Sequence, residues 1–322
     1  MSPSTIAAGP SRAVRARLDR LTASPEPRDW LLAARSKHCT TEALTELADR
    51  IQTQIRSAAQ MEWSAAHILA AVLAHPACPP ALLDQALAEV DSTGSSLAGA
   101  LWNGALYAHT ASRNPSLTRA RIVSALDRLA SIDFSQPYRR AHGEPRYARI
   151  RSSRLNAHGL SQTLLAHPNT PTDLLRAWLT PPAAWGSFRG GGPYGVAGNP
   201  HCPPDLQLEL ARHRLAKVRK ALAENLNLAD EAAAILVADT TASVRARIIR
   251  AGRADAALLA ASVEHNSTWV RAAVAATTDD PETLTRLAMD RRQRIRRRAV
   301  ANAAAPDEAH VAAALLGDAN SW

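Results

Sequence analysis

Four near-copies of one dipeptide, Val218-Arg219, Val244-Arg245, Val270-Arg271 and Ile295-Arg296, recur at steps of 26, 26 and 25 residues. Each opens a similar stretch: VRKALAEN, VRARIIRAG, VRAAVAAT and IRRRAVAN. A fixed period in the range of about 20 to 50 residues marks a stack of supersecondary units. One such unit is too small to bury its apolar face alone, so each must pack on its neighbours. Composition adds the type of unit. Aromatics are 4% of the chain and its apolar content is mostly Ala and Leu, the strongest helix formers. The chain is therefore expected to be all-α, and an enzyme-like cleft is not what the pattern favours.

Degenerate copies extend the period towards the N-terminus. LAHPACPPALL (73–83), LAHPNTPTDLL (165–175) and AGNPHCPPDLQ (197–207) all end an apolar run, turn through His-Pro or Asn-Pro and restart at a Pro. The residue before Pro avoids the α region, so the first helix stops there. In Thr170-Pro171-Thr172-Asp173, Thr170 reads as an N-cap, Pro171 as the first helical residue and Asp173 as a third-position acid favoured by the helix dipole. Glu42, Asp205, Glu231, Glu282 and Asp307 hold the same slot, so these acids read as helix starters rather than catalytic carboxylates. Cys39, Cys78 and Cys202 hold the slot of Thr170. They lie several repeats apart, without the converging ligands a metal needs, so no metal is expected. His75 and His167 stand where Asn199 stands, a place suited to bonding loose carbonyls at a helix end.

The recurring Arg has a structural reading as well. Asp239 precedes Arg245 by six residues and Asp290 precedes Arg296 by six, with His213 and His265 at that place before Arg219 and Arg271. An acid closing one repeat and an Arg opening the next predict a structural ladder through Asp239, Arg245, Asp290, Arg296, Arg219 and Arg271.

VRAAVAATTDDPETLTRLAMD resembles the bacterial leucine-rich repeat variant, and the six-residue Asp-to-Arg spacing resembles the HEAT repeat. The resemblance is good over 218–316, fair over 65–88 and 160–214, and weak elsewhere. It implies a right-handed α-solenoid of short two-helix repeats of about 25 residues, and no single activity. Some variant-repeat proteins carry an N-terminal cysteine cluster for an iron–sulfur centre. This chain lacks that cluster, so no cofactor is expected.

The expected organisation is an N-terminal helical cap or degenerate repeat (1–60), degenerate repeats (61–130), an Arg/Tyr-rich insertion (131–155), a repeat (156–180), a Gly/aromatic loop (181–198) and regular repeats (199–322). Insertions in solenoids often lie on the binding face. The first carries Arg139, Arg140, Arg146, Arg149, Arg151 and Arg154 with Tyr138 and Tyr147, a mixture suited to phosphates and base stacking. In the second, Trp185, Phe188, Arg189 and Tyr194 flank three glycines and read as loop anchors. Inside the repeats, Arg291, Arg292, Arg294, Arg297 and Arg298 exceed what one ladder uses. Net charge is +9, with three Lys among 38 basic residues, which favours polyanions or acidic partners.

The expected function is a non-catalytic scaffold binding a macromolecular partner, protein or nucleic acid, in the cytoplasm and off the membrane. The alternative is a nucleic-acid-binding or DNA-repair protein, resembling the alkylpurine DNA glycosylases built from HEAT-like repeats. Those use a basic concave groove with aromatics and an acid. Trp178, Trp185 and Trp269 are the candidate aromatics, and no motif assigns the acid.

Overall fold

A computed structural model describes residues 11–57, 63–88, 111–131, 159–179 and 191–317. Among these, every regular element is a helix, and none is long and apolar enough to cross a membrane. The described residues fall into two units that divide at Leu174/Leu175.

The first unit contains α1 (Arg12–Ala23), α2 (Pro27–Ala34), α3 (Thr41–Ser57), α4 (Trp63–Ala74), α5 (Pro80–Ala88) and α6 (Arg119–Ser131). Helix α4 lies against both α2 and α3. Trp30 is buried, and its indole N–H donates to the carbonyl of Ser24 at 2.7 Å, closing the turn between α1 and α2. A short helix, α7 (Thr172–Ala177), runs across the division.

The second unit continues with α8 (Gly191–Gly198), α9 (Pro204–Ala211), α10 (Ala216–Ala223), α11 (Asp230–Val237), α12 (Ala242–Arg250), α13 (Ala256–Ser262), α14 (Thr268–Thr277), α15 (Pro281–Ala288), α16 (Gln293–Val300) and α17 (Asp307–Leu315). Alternate helices are neighbours: α8, α10, α12, α14 and α16 pack in succession, while α9 packs on α11 and α15 on α17. The Val of each Val-Arg phrase is the inward residue, with Val218, Val244 and Val270 at 0% exposure and Ile295 at 1%. Small side chains let the rows close up, since Ala273, Ala275, Ala288, Ala299, Ala309 and Ala313 share that core.

One turn geometry recurs through both units. At Ser36, His75, Asn114, His167, Asn199, Asn225 and Asn302 the backbone N–H donates to the carbonyl three residues back, and the carbonyl accepts from the N–H three residues on. The residue three places on faces inward, which is why Cys39, Cys78, Thr170 and Cys202 share a slot: each is buried. Burial pushes the thiols of Cys78 and Cys202 up to about 12, so they are inert. The Asn side chains stitch successive turns together. Asn114 Nδ2 donates to the carbonyls of Leu73 and His75, and Asn225 Nδ2 to those of Ala197 and Asn199. His reproduces one of these two bonds. His75 Nε2 meets the Ser36 carbonyl and His167 Nε2 the Asn114 carbonyl, both at 3.0 Å, while Nδ1 accepts from the N–H two residues on. The backbone donor at Nδ1 fixes the proton on Nε2.

Two expectations are corrected. Thr170 does not cap its helix. It is buried, and its hydroxyl donates backwards to the Leu164 carbonyl at 2.5 Å. The span 181–198 is not a loop throughout, because residues 191–198 form α8 and Tyr194 is an exposed helical residue rather than a loop anchor. Gly192 serves packing. A Cβ on Gly192 would come within 2.1 Å of the Trp178 carbonyl oxygen, a separation no side chain tolerates.

Candidate polyanion interface

Each Val-Arg helix turns three faces to different surroundings. Positions one before, three after and six after the Val lie on one stripe, because residues three and four apart share a helix face. The stripes read Lys217, Ala221 and Glu224 on α10, Ser243, Arg247 and Arg250 on α12, Trp269, Ala273 and Ala276 on α14, and Arg294, Arg298 and Ala301 on α16. On α14 the stripe runs from the exposed Trp269 past the fully buried Ala273 to the exposed Ala276, between two Arg-bearing helices.

The arginines of this stripe converge. Arg250 feels Arg247, Arg298 and Arg294 together with Glu224, and partial burial followed by these like charges holds its guanidinium below the usual value. Glu224 lies 2.7 Å from Arg247 Nε. That N–H finds no hydrogen-bond acceptor, so the carboxylate balances charge without a well-directed bond. Three guanidinium groups and one carboxylate within electrostatic reach of Arg250 leave an excess of positive charge there. Arg298 reaches back over α14 towards the Ala272 carbonyl at 3.5 Å. The Arg294 Cζ stands 5.6 Å from the centroid of the Trp269 ring, within cation–π range. Trp269 is 54% exposed, the largest exposed aromatic among the described residues.

The Arg directly after each Val faces elsewhere. Arg219 donates from Nε to Asp239 Oδ2 at 2.5 Å and from Nη2 to Oδ1 at 3.0 Å, while Nη1 reaches the His213 carbonyl at 2.7 Å. Arg271 repeats this with Asp290 at 2.6 and 3.2 Å and with the His265 carbonyl at 2.7 Å. The expected pairing is corrected here. Each Asp serves the Arg of the preceding repeat, 19 or 20 residues upstream, instead of the Arg six residues downstream. The six-residue spacing is real, but it joins a guanidinium to a backbone carbonyl, as in Arg296 to Asp290 O at 2.9 Å. The extended Arg side chain spans to the next turn, where a carboxylate fits both of its forward N–H groups.

Burial pushes the carboxyls of Asp239 and Asp290 up. The bonds from Arg219 or Arg271 and from the backbone N–H two residues on outweigh it, and both end below the usual range. Arg245 departs from the pattern. Its partner is His265, with Nη2 and Nε2 2.5 Å apart, and Arg245 Nε is buried without an acceptor.

The other sequence candidates divide plainly. Arg294 and Arg298 join the stripe. Arg291, Arg292 and Arg297 are exposed, and nothing in the structure draws them to it. Trp178 is 5% exposed and its carbonyl backs α8, so it presents no ring to a ligand. Tyr138, Tyr147, Trp185, Phe188, Arg189 and Arg139, Arg140, Arg146, Arg149, Arg151 and Arg154 lie outside the described residues. Sequence reasoning missed Arg247 and Arg250. Their signal was present in VRARIIRAG, at the third and sixth places after the Val. Among the described residues no three His, Cys, Asp or Glu side chains are grouped to hold a metal. No protein-family model matches the sequence, and no curated protein matches it at a significant level.

Proposed function

We propose that this chain is a non-catalytic α-solenoid, of the kind the leucine-rich repeat variant and HEAT repeats build, and that it binds nucleic acid on the stripe formed by α12, α14 and α16. The observation that carries this reading is the convergence of Arg247, Arg250, Arg294 and Arg298 with Glu224 as their counter-charge. A like-charge cluster costs folding energy unless a partner supplies the missing anions, and the phosphates of a nucleic acid are such anions. The turn geometry shared by both units supports the repeat reading, and the two-row packing of the second unit agrees with it.

The test is a titration with labelled oligonucleotide at several salt concentrations. Affinity falls as salt rises, with a logarithmic slope of about 0.7 to 0.9 per phosphate contacted. Failure of both duplex and single-stranded oligonucleotide to bind at low salt defeats the proposal.

A further inference from the structure

We infer that the strand taken by this stripe is single-stranded, and that one unpaired base stacks on Trp269. This rests on the nucleic-acid reading above and deepens it.

Trp269 occupies the second residue of α14, held at its start by Ser267, whose hydroxyl accepts the Trp269 backbone N–H at 3.3 Å. The helix it opens is firmly seated, with Val270, Ala273 and Val274 at 0% exposure. An indole this exposed on a rigid base is not explained by the core. Its stripe-mates on α14 are the small Ala273 and Ala276, and with the Arg294 guanidinium over the ring Trp269 is still 54% exposed. Arg294 lies towards the indole at cation–π distance, which steadies the ring and places a positive charge beside it. The remaining cations, Arg247, Arg250 and Arg298, stand along the same stripe.

A phosphate backbone lying along the stripe would meet those guanidinium groups, and a base turned from it would meet the indole. Every base has a π face, so such a platform accepts any sequence. In a duplex the bases are stacked on each other and paired, and none is free to lie on a ring. An isolated exposed indole therefore has a use for a single strand that it lacks for a double helix. Arg alone would suffice for duplex phosphates.

The experiment compares three labelled oligonucleotides of equal length by fluorescence anisotropy: oligo-dT, a strand of the same charge built from abasic sites, and a duplex. Heparin serves as a polyanion without bases. The expected result is that oligo-dT binds roughly fivefold or more tightly than the abasic strand, the size of one base-on-aromatic stack. Trp269→Ala should bring oligo-dT down to the abasic level while leaving abasic binding unchanged. Trp269→Phe should keep part of the difference. Because Trp269 is exposed, thermal melting of both variants should match the parent, which separates lost stacking from lost folding. Equal binding of abasic strand and oligo-dT, or duplex binding as tight as single strand, overturns the inference while leaving the nucleic-acid reading intact. Absence of binding to both nucleic acids defeats the reading itself, and heparin binding then marks the stripe as a site for another polyanion.

Discussion

Two sets of arginines share one row of helices in the second unit and have different surroundings. Those directly after the Val are drawn into the turns, with Arg271 5% exposed and held by Asp290 and the His265 carbonyl. Those at the stripe positions lie near one another, Arg250 and Arg294 exposed and Arg247 and Arg298 half-buried, with Glu224 as the counter-charge. Two steps of sequence separate the two environments, as from Arg245 to Arg247 or from Arg296 to Arg298, because a helix turns by about 100° per residue. An arginine count therefore says little about charge offered to a partner. Position relative to the Val decides which arginines are spent inside and which are left over.

The largest expected effect separates the two sets on stability. Arg271→Ala removes the partner of a carboxylate whose side chain is 7% exposed, and a buried pair broken this way costs about 3–5 kcal/mol. Arg250→Ala should change stability by no more than about 0.5 kcal/mol, as is usual for exposed positions. On oligonucleotide affinity the order reverses: Arg250→Ala weakens binding and flattens the salt slope, provided Arg271→Ala is assayed where it remains folded. Chemical denaturation and anisotropy on the same preparations measure both. Equal stability losses would dissolve the distinction.

Next in size is the turn that carries the ladder. Asn225→Ala leaves the Ala197 and Asn199 carbonyls and the Asn227 N–H without their partner in a buried turn, a loss of about 2–3 kcal/mol. Asn225→His should recover part of it, since His75 and His167 make one of the two carbonyl bonds and the backbone N–H bond elsewhere. Failure of His to rescue would show that the turns are less interchangeable than their hydrogen bonds suggest.

Such substitutions also show what could be read beforehand. The Val-Arg period gave the inward face directly, and the shared place of His75, His167 and Asn199 gave the turn, because one buried spot demands a donor and an acceptor and few side chains offer both. Trp178 and the glycines before Tyr194 misled. Their role depends on a backbone approach to Gly192 from a segment more than ten residues away in sequence, and no local pattern carries that. The ladder was half legible: the six-residue spacing marked a residue that Arg219 and Arg271 do contact, but through its backbone carbonyl, and the carboxylate partners lie one repeat further on. The stripe was least legible. Arg247 and Arg250 look unremarkable until α12, α14 and α16 are set side by side.

Acidification should reveal the two kinds of ladder partner in sequence. His213 and His265 are held below their usual value, His213 by burial and then Arg214, and His265 by burial and then Arg245 and Arg271. An unfolded histidine takes up a proton near pH 6.5, before the folded one does, so the stability they contribute is complete above that pH and declines below it. Asp239 and Asp290 are also depressed, so their contribution is present above about pH 3.9 and is lost as pH falls through their lower folded values. Stability should thus fall in two stages, read by denaturant melts from pH 8 to pH 3. A single acid transition near pH 4 would mean that the histidines are not held neutral by the fold.

The smallest effect is the most telling about the ladder. At the Arg245 rung the His265 ring stands where Asp239 and Asp290 stand in the neighbouring rungs. Its Nδ1 accepts the Ser267 N–H at 2.9 Å, so in the neutral ring the proton sits on Nε2 and points at an Arg245 donor. Two donors then face each other, and Arg245 Nε is left buried without an acceptor. The equivalent oxygens of Asp239 and Asp290 accept the N–H two residues on while the carboxylate still receives the Arg, so one carboxylate satisfies what the imidazole cannot. His265→Asp should therefore stabilise the protein, by about 1 kcal/mol after the cost of fixing both side chains. It should also remove the His265 share of the decline below pH 6.5 and add a loss confined to pH values below about 3.9. A variant no more stable than the parent at pH 7 would show that the imidazole–guanidinium contact is already as good a rung as a carboxylate.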